Sequence, residues 1–343
     1  MHMADALLSP AVGGALLAVS AAGVGWSARR VRAQAREEIT PLMGVLGAFV
    51  FAAQMINFSI PGTGSSGHLG GGLLLAILLG PAAAFLVIAS VLTVQALLFA
   101  DGGLLALGCN LFNMGFLPCF VAYPLIYRPI AGERPTTRRI QVGVILAAIV
   151  ALQLGALAVV LETTLSGISA LPFGPFAMVM LPIHLAIGLV EGLVTAAVVL
   201  FLGRERPELL QPMATRPIGL QVGRALASLA VTAALTAGIL SWFASAHPDG
   251  LEWSIARATG GHEVAEPADG LHRALARVQS AFALLPDYDF RRDPPATAPP
   301  DDGSVEAPLV QAGTSAAGVV GATLTLGLAG AAGLVLRRRK AGR

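Results

Sequence analysis

Eight runs of apolar residues, each long enough to cross a lipid bilayer, dominate the chain: about 7–27, 41–58, 82–100, 104–127, 139–161, 175–202, 222–244 and 313–336. Inside hydrocarbon every backbone N–H and C=O must find a partner within the protein, and a helix achieves this one segment at a time. The runs therefore predict an all-α, polytopic transmembrane helix bundle. Charge content agrees. Only 12% of the 343 residues are charged, about half of the ~25% typical of soluble domains, too few to cover a water-facing surface of that size. Membrane lipid is the expected surrounding, and a formal net charge of +2 gives no footing for a nucleic-acid partner.

A shorter run, Gly71 to Leu79, precedes Pro81. Arginine placement decides whether it counts, because basic residues gather in cytoplasmic loops. The clusters are Arg29, Arg30, Arg32 and Arg36; Arg128, Arg134, Arg138 and Arg139; Arg204 and Arg206; and Arg337 to Lys340. They share one side only if the short run is a pass. Counting it gives about nine spans, with the N-terminus outside and the C-terminus cytoplasmic. Met1 to Ser9 holds no Lys or Arg and the basic run follows the apolar core, so the start reads as an uncleaved first helix rather than a secretory signal.

The chain divides into a bundle of about seven spans over 1–205, a proline-bearing linker at 206–221, and an accessory region at 222–343 with two spans. Between those two spans, 247–310 carries eleven acids against five arginines. It is expected outside, with two short helices and a flexible stretch from Pro294 to Pro300.

Two counts exclude functions. The single lysine is Lys340, so no Walker A loop is available and any ATP-driven step must borrow energy from a partner. The two cysteines, Cys109 and Cys119, form no CxxC pair and read as small buried hydrophobes.

Histidines occur at 2, 68, 184, 247, 262 and 272. One directly after the first residue has special chemistry. The Met1 amine, the His2 amide nitrogen and the His2 imidazole can close two fused chelate rings, placing three nitrogens in a plane. A further imidazole completes a square, the arrangement favoured by nickel(II) and copper(II). His68, in the glycine-rich loop Gly62-Thr-Gly-Ser-Ser-Gly-His-Leu-Gly-Gly-Gly, is expected on the same side as Met1. Alone, His2 reads as a surface histidine and His68 as a structural one; together, on one side, they point to a cation.

At these residues the chain resembles the CbiM/NikM family, the cobalt and nickel substrate-binding membrane components of energy-coupling-factor transporters. The resemblance lies in Met1-His-Met-Ala-Asp-Ala-Leu-Leu-Ser-Pro, Gly67-His-Leu-Gly-Gly-Gly, the block from Leu98 to Met114, and the block from His184 to Ala196. Pro248, Asp249, Gly250, Leu251, Glu252 and Trp253 resemble the PDGLE motif of the family's small two-span accessory subunit, implying a fusion. Ala4 and Ala6 stand where the family usually has proline and glycine around the N-terminal acid, so the turn at Asp5 is expected to be looser.

The resemblance implies that Met1, His2 and His68 bind Ni2+ or Co2+ as a transported substrate, with no organic cofactor and no enzymatic activity. It also implies a transmembrane coupling protein and cytoplasmic ATPases as partners, in a bacterial cytoplasmic membrane. Asp5, Asn57, Asp101, Asn110, Asn113, His184 and Glu191 have two readings each: a hydrogen-bond partner that orients a metal-bound imidazole, or helix packing and capping. His184 and Glu191 lie seven apart, on one helical face. Gly14, Ala18 and Ala22 form a small-residue stripe suited to close helix contact. The competing functions are a membrane-anchored metal sensor or metallochaperone and an intramembrane metalloenzyme; the latter lacks an HExxH pair.

Overall fold

The structure, a computed structural model, describes residues 1–34, 39–133, 135–205, 210, 223–262, 264, 267, 269–291 and 311–336. Arg36, Arg134, Arg206, the stretch Pro294–Pro300, the cluster Arg337–Lys340 and the linker 206–221 apart from Leu210 lie outside the described residues.

Helix α1 spans Pro10–Gln34. It starts later than the apolar run because Pro10, with no N–H and a fixed φ, suits a first helical turn. Ser9 Oγ accepts from Val12 N at 3.4 Å. The residues before it therefore stay out of the helix. Met1 to Leu8 forms an extended stretch and a 3-10 turn at Asp5–Leu7, with Met3, Leu7 and Leu8 buried.

Then come α2 (Ile39–Gln54), the strands β1 (Phe58–Ile60) and β2 (Ser65–Gly67), α3 (Gly72–Leu79) and α4 (Pro81–Leu98). The strands pair antiparallel, Phe58 opposite Gly67. Next are α5 (Leu107–Ala131), α6 (Thr137–Ser166) and α7 (Phe173–Glu205). α5 is π-helical over Phe112–Tyr127, which accommodates Pro118 and Pro124. The accessory region supplies α8 (Gly223–Gly238), α9 (Gly250–Thr259), α10 (Gly270–Phe282) and α11 (Ala312–Leu336). The two short helices expected in the acidic segment are α9 and α10.

Among the described residues, six helices, α1, α4, α5, α6, α7 and α11, are long and apolar enough to cross a membrane, and α2 and α8 contain shorter apolar helices. The short run Gly71–Leu79 forms α3. α3 has 8 residues, about 12 Å at 1.5 Å per residue, against a hydrocarbon core of ~30 Å. It does not cross alone. It descends from the end where α2 finishes, and α4 returns there. Gln54 closing α2, Gly70 before α3 and Gln95 near the end of α4 are hydrogen-bonded in series. Arg32, Arg128 and Arg204 lie in the last turns of their helical segments, and Arg138 and Arg139 in the first turn of α6.

α8 and α11 pack against α2. Association within lipid depends on close contact rather than on the hydrophobic effect. At Gly321 of α11 a Cβ would stand 2.0 Å from the Phe51 ring, so only glycine permits this approach. Gly14, Ala18 and Ala22 lie on an exposed face of α1.

Candidate metal centre

The first residues are held from both sides. Met3 N–H donates to Asn110 Oδ1 at 2.8 Å, and Asn110 Nδ2 donates back to Met3 O at 3.2 Å. Gly103 N also donates to Met3 O at 2.9 Å. Asp5 Oδ1 accepts from Ala106 N at 2.9 Å. A Cβ at Gly103 would fall 1.8 Å from that carboxylate, so the close pass of the two chains requires glycine. These contacts, together with burial of Met1 and Met3, fold the chain's start back into the bundle.

His68 meets it there. Its loop is pinned by Glu191 on α7, whose two carboxylate oxygens accept from Gly70 N (3.0 Å) and Gly71 N (3.1 Å). His68 Nδ1 lies 3.2 Å from the Leu69 carbonyl, which can only accept. Nδ1 therefore carries the proton and Nε2 the lone pair. Nε2 faces the Met1 amine at 3.4 Å. Cis nitrogens on one cation, with bonds of about 2.0 Å, stand roughly 2.8 Å apart; a small side-chain adjustment closes the difference. The His2 and His68 rings stack with centroids 5.1 Å apart and planes 21° apart.

A chain of amides fixes the second imidazole. Gln54 Nε2 donates to Gly70 O at 2.8 Å, so Gln54 Oε1 faces Gln95 and accepts from its Nε2 at 2.9 Å. That leaves Gln95 Oε1 toward His2 Nε2, 3.2 Å away. Since a carbonyl at the far end sets the direction, His2 presents Nε2–H to Gln95, and the neutral ring in this tautomer carries its lone pair on Nδ1. Nδ1 is the atom the chelate needs. It lies 3.2 Å from Asp101 Oδ1. A proton on Nδ1 would be donated to Asp101, and a cation replacing that proton keeps the contact attractive.

Electrostatics keep the imidazoles neutral. Burial is the largest influence on His68, joined by the Met1 ammonium and His2, and its pKa is pushed down to about 3. Burial also lowers that of His2, with Asp101 pulling the other way. Neutral rings offer lone pairs to a metal.

The accessory motif is built into this centre. Asp249 caps α9, its Oδ1 accepting from Leu251 N and Glu252 N, and Glu252 Oε2 accepts from Asp249 N to complete a capping box. Asp249 Oδ2 forms an ion pair with the Met1 amine at 2.9 Å. Burial opposes its charge, yet the Met1 ammonium and His68 outweigh it and hold the carboxyl well below the usual carboxylate range. Pro248 O accepts from Ser66 N at 2.8 Å. Gly250 lies against His184 and Ile187, Leu251 is buried, and Trp253 Nε1 donates to Thr63 O at 3.0 Å. Tyr288 OH donates to Asp101 Oδ2 at 2.5 Å, backing the acid beside His2.

Met1, His2 and His68 thus come together, and Asp5, Asp101, Asn110 and Glu191 hold the backbone or side chains that position them. The other three expected partners line the cavities around these residues but hydrogen-bond elsewhere. Asn57 lines an outer vestibule of about 1200 Å3 that reaches His2 and His68, and its carbonyl accepts from Ser245 N. Asn113 donates to Glu162 at 2.8 Å. His184 donates from Nδ1 to Met180 O at 2.8 Å and lines a narrow cavity of about 30 Å3 beneath Met1 and His68. Gln54, Gln95 and Tyr288 were not among the expected residues. A glutamine within an apolar run was the available signal for the first two. Among the described residues, no group of three or more His, Cys, Asp or Glu side chains is arranged to hold a metal; a cation held here would draw on the chain's own backbone nitrogens as well as on imidazoles.

Fold and site define a polytopic helical membrane protein whose N-terminus is folded into the bundle beneath an accessory roof. The chain belongs to the CbiM family, described as the cobalt uptake substrate-specific transmembrane region, which matches residues 2–209. Residues 223–338 match the PDGLE domain. A fused nickel transport protein, NikMN, of Rhodobacter capsulatus is 32% identical over 310 residues, covering 84% of this chain and 88% of that one. A cobalt transport protein, CbiM, of Geobacter sulfurreducens is 32% identical over 223 residues, covering 62% of each chain. The crystal structure of a truncated transition metal transporter aligns with a TM-score of 0.52 at 32% identity, covering 60% of this chain and 99% of that one. The chain accordingly joins a CbiM-type membrane region and a PDGLE domain in one polypeptide.

Proposed function

We propose that the chain captures Ni2+ or Co2+ from outside the cell as the substrate-binding subunit of an energy-coupling-factor transporter, working with a transmembrane coupling protein and cytoplasmic ATPases. The observation that carries the reading is the meeting of Met1 N, His2 and His68. The amine, the His2 amide, His2 Nδ1 and His68 Nε2 supply four nitrogens, a set suited to nickel(II) in a plane. Asp101 and Asp249 offset the cation's charge. The vestibule provides the way in, with the N-terminus outside and the arginine-bearing helix ends in the cytoplasm. The exposed small-residue face of α1 is suited to close packing against a coupling helix.

Calorimetric titration of the purified chain with Ni2+, Co2+, Cu2+ and Zn2+ tests the reading. His2→Ala and His68→Ala should each abolish high-affinity binding, and His262→Ala should not. The reverse ranking would move the site to the accessory region. Uptake of isotopic metal, with and without the coupling proteins, separates transport from sensing.

A further inference from the structure

The roof grips the N-terminal segment at a second place, away from the metal-facing atoms. His272, in the first turn of α10, is buried and reaches the end of the 3-10 turn at Asp5–Leu7. Its Nε2 lies 2.9 Å from Leu8 O and 3.1 Å from Asp5 O. Both carbonyls can only accept, so Nε2 carries a proton. Its Nδ1 lies 2.5 Å from Asp269 Oδ2, and Asp269 also caps the helix through Leu271 N and His272 N. A ring set between two carbonyls and a carboxylate donates on both nitrogens: it is an imidazolium with its own counter-ion. Such charge-assisted bonds are stronger than neutral ones.

α10 is itself fixed to the bundle. Seven residues on, and on the same helical face, Gln279 Nε2 donates to Ala96 O (2.9 Å) and Gly102 O (2.7 Å). Beyond the helix, Leu285 N and Asp287 N donate to Leu98 O and Phe99 O. These carbonyls belong to the end of α4 and the loop after it, close to Gln95 and Asp101. α10 thus bridges the segment that carries Met1 and His2 and the element that orients His2. The bundle's own grip on that segment, through Asn110, Gly103 and Ala106, uses atoms that His272 does not touch.

We propose that α10 is a clamp on the metal-bearing N-terminal segment and that His272 is its positioning residue, controlling how long the segment retains a bound cation. This rests on the metal-centre reading. A segment released at Asp5 and Leu8 lifts more readily, and Met1 and His2 lift with it. The effect falls on release rather than on stoichiometry, and the bundle's remaining contacts keep the chain folded.

The test uses the purified full chain loaded with Ni2+. Release is followed by stopped-flow transfer to a chelator, and stoichiometry and affinity by calorimetry. His272→Leu should speed release about tenfold, in the range seen when outer partners of a metal site are removed, with one ion still bound per chain. His272→Gln, which keeps one donor, should fall between His272→Leu and the wild type, as should Asp269→Asn. Release from His272→Leu at the wild-type rate, with His68→Ala abolishing binding, overturns the clamp and leaves the centre standing. If His272→Leu does not fold, wild-type release from both His272→Gln and Asp269→Asn overturns it equally. Normal binding by His68→Ala would instead remove the centre, and with it the clamp's role.

Discussion

Replacing Gln95 with leucine isolates the amide chain behind His2. While His2 Nδ1 is committed to a cation, Nε2–H must stay where it is, 3.2 Å from Gln95 Oε1. Leucine removes the acceptor and leaves a donor buried beside an apolar side chain, a cost of roughly 1–3 kcal/mol. Before metal is added the ring is free to turn and recover a partner, so the cost falls on the loaded form. At about 1.4 kcal/mol per decade of affinity, Gln95→Leu should weaken nickel binding roughly 10- to 100-fold, consistent with the loss expected for outer partners of metal-bound imidazoles. Gln95→Glu keeps an acceptor for His2 and should bind far better than Gln95→Leu. Calorimetric titration of both, alongside thermal unfolding, measures this. Binding by a folded Gln95→Leu within about twofold of wild type, or weaker binding by Gln95→Glu, would refute the argument.

Three further outcomes are expected. Residues added before Met1 convert the amine to an amide and remove both a ligand and the partner of Asp249; calorimetry should then show high-affinity binding lost. Gly103→Ala drives a methyl group into Asp5 and should lower both thermal stability and metal affinity, because the N-terminal segment must shift. His272 titrates with a known sign. Burial alone would lower its pKa, but the carbonyls of Leu8 and Asp5 and the Asp269 carboxylate, with Asp5 the other acid facing it, raise it above 6.5. The clamp is therefore fully charged below about pH 6.5 and loses its charge as pH rises through the raised value. Nickel release from wild type and His272→Gln should accordingly converge in alkaline buffer.

Much of this architecture was legible in the residues. Apolar runs announced the spans, and arginine parity required a pass at Gly71–Leu79 although α3 is too short to cross alone. His2 and His68 announced the nitrogens through chelate geometry, and the PDGLE motif announced itself as a unit. What stayed hidden was pairing across long sequence separations. Nothing local to Asp249 says that its carboxylate reaches Met1, 248 residues away. Gln54 and Gln95 are 41 apart, and each alone is one polar residue in an apolar helix. His272 carried no signal of its own, because its partners in the N-terminal segment are backbone carbonyls, which no sequence pattern displays. Asn57 and Asn113 carried the same signal as Asn110, and only packing separates them.

In the proposed centre the amine of Met1 and the imidazoles of His2 and His68 share one cation. X-ray absorption at the nickel edge of the loaded protein tests it most directly. The spectrum should show about four nitrogen or oxygen donors near a planar geometry, with scattering from two imidazoles; one of these should disappear in His68→Ala. A six-oxygen shell, a sulfur donor, or a spectrum unchanged in His68→Ala would contradict it.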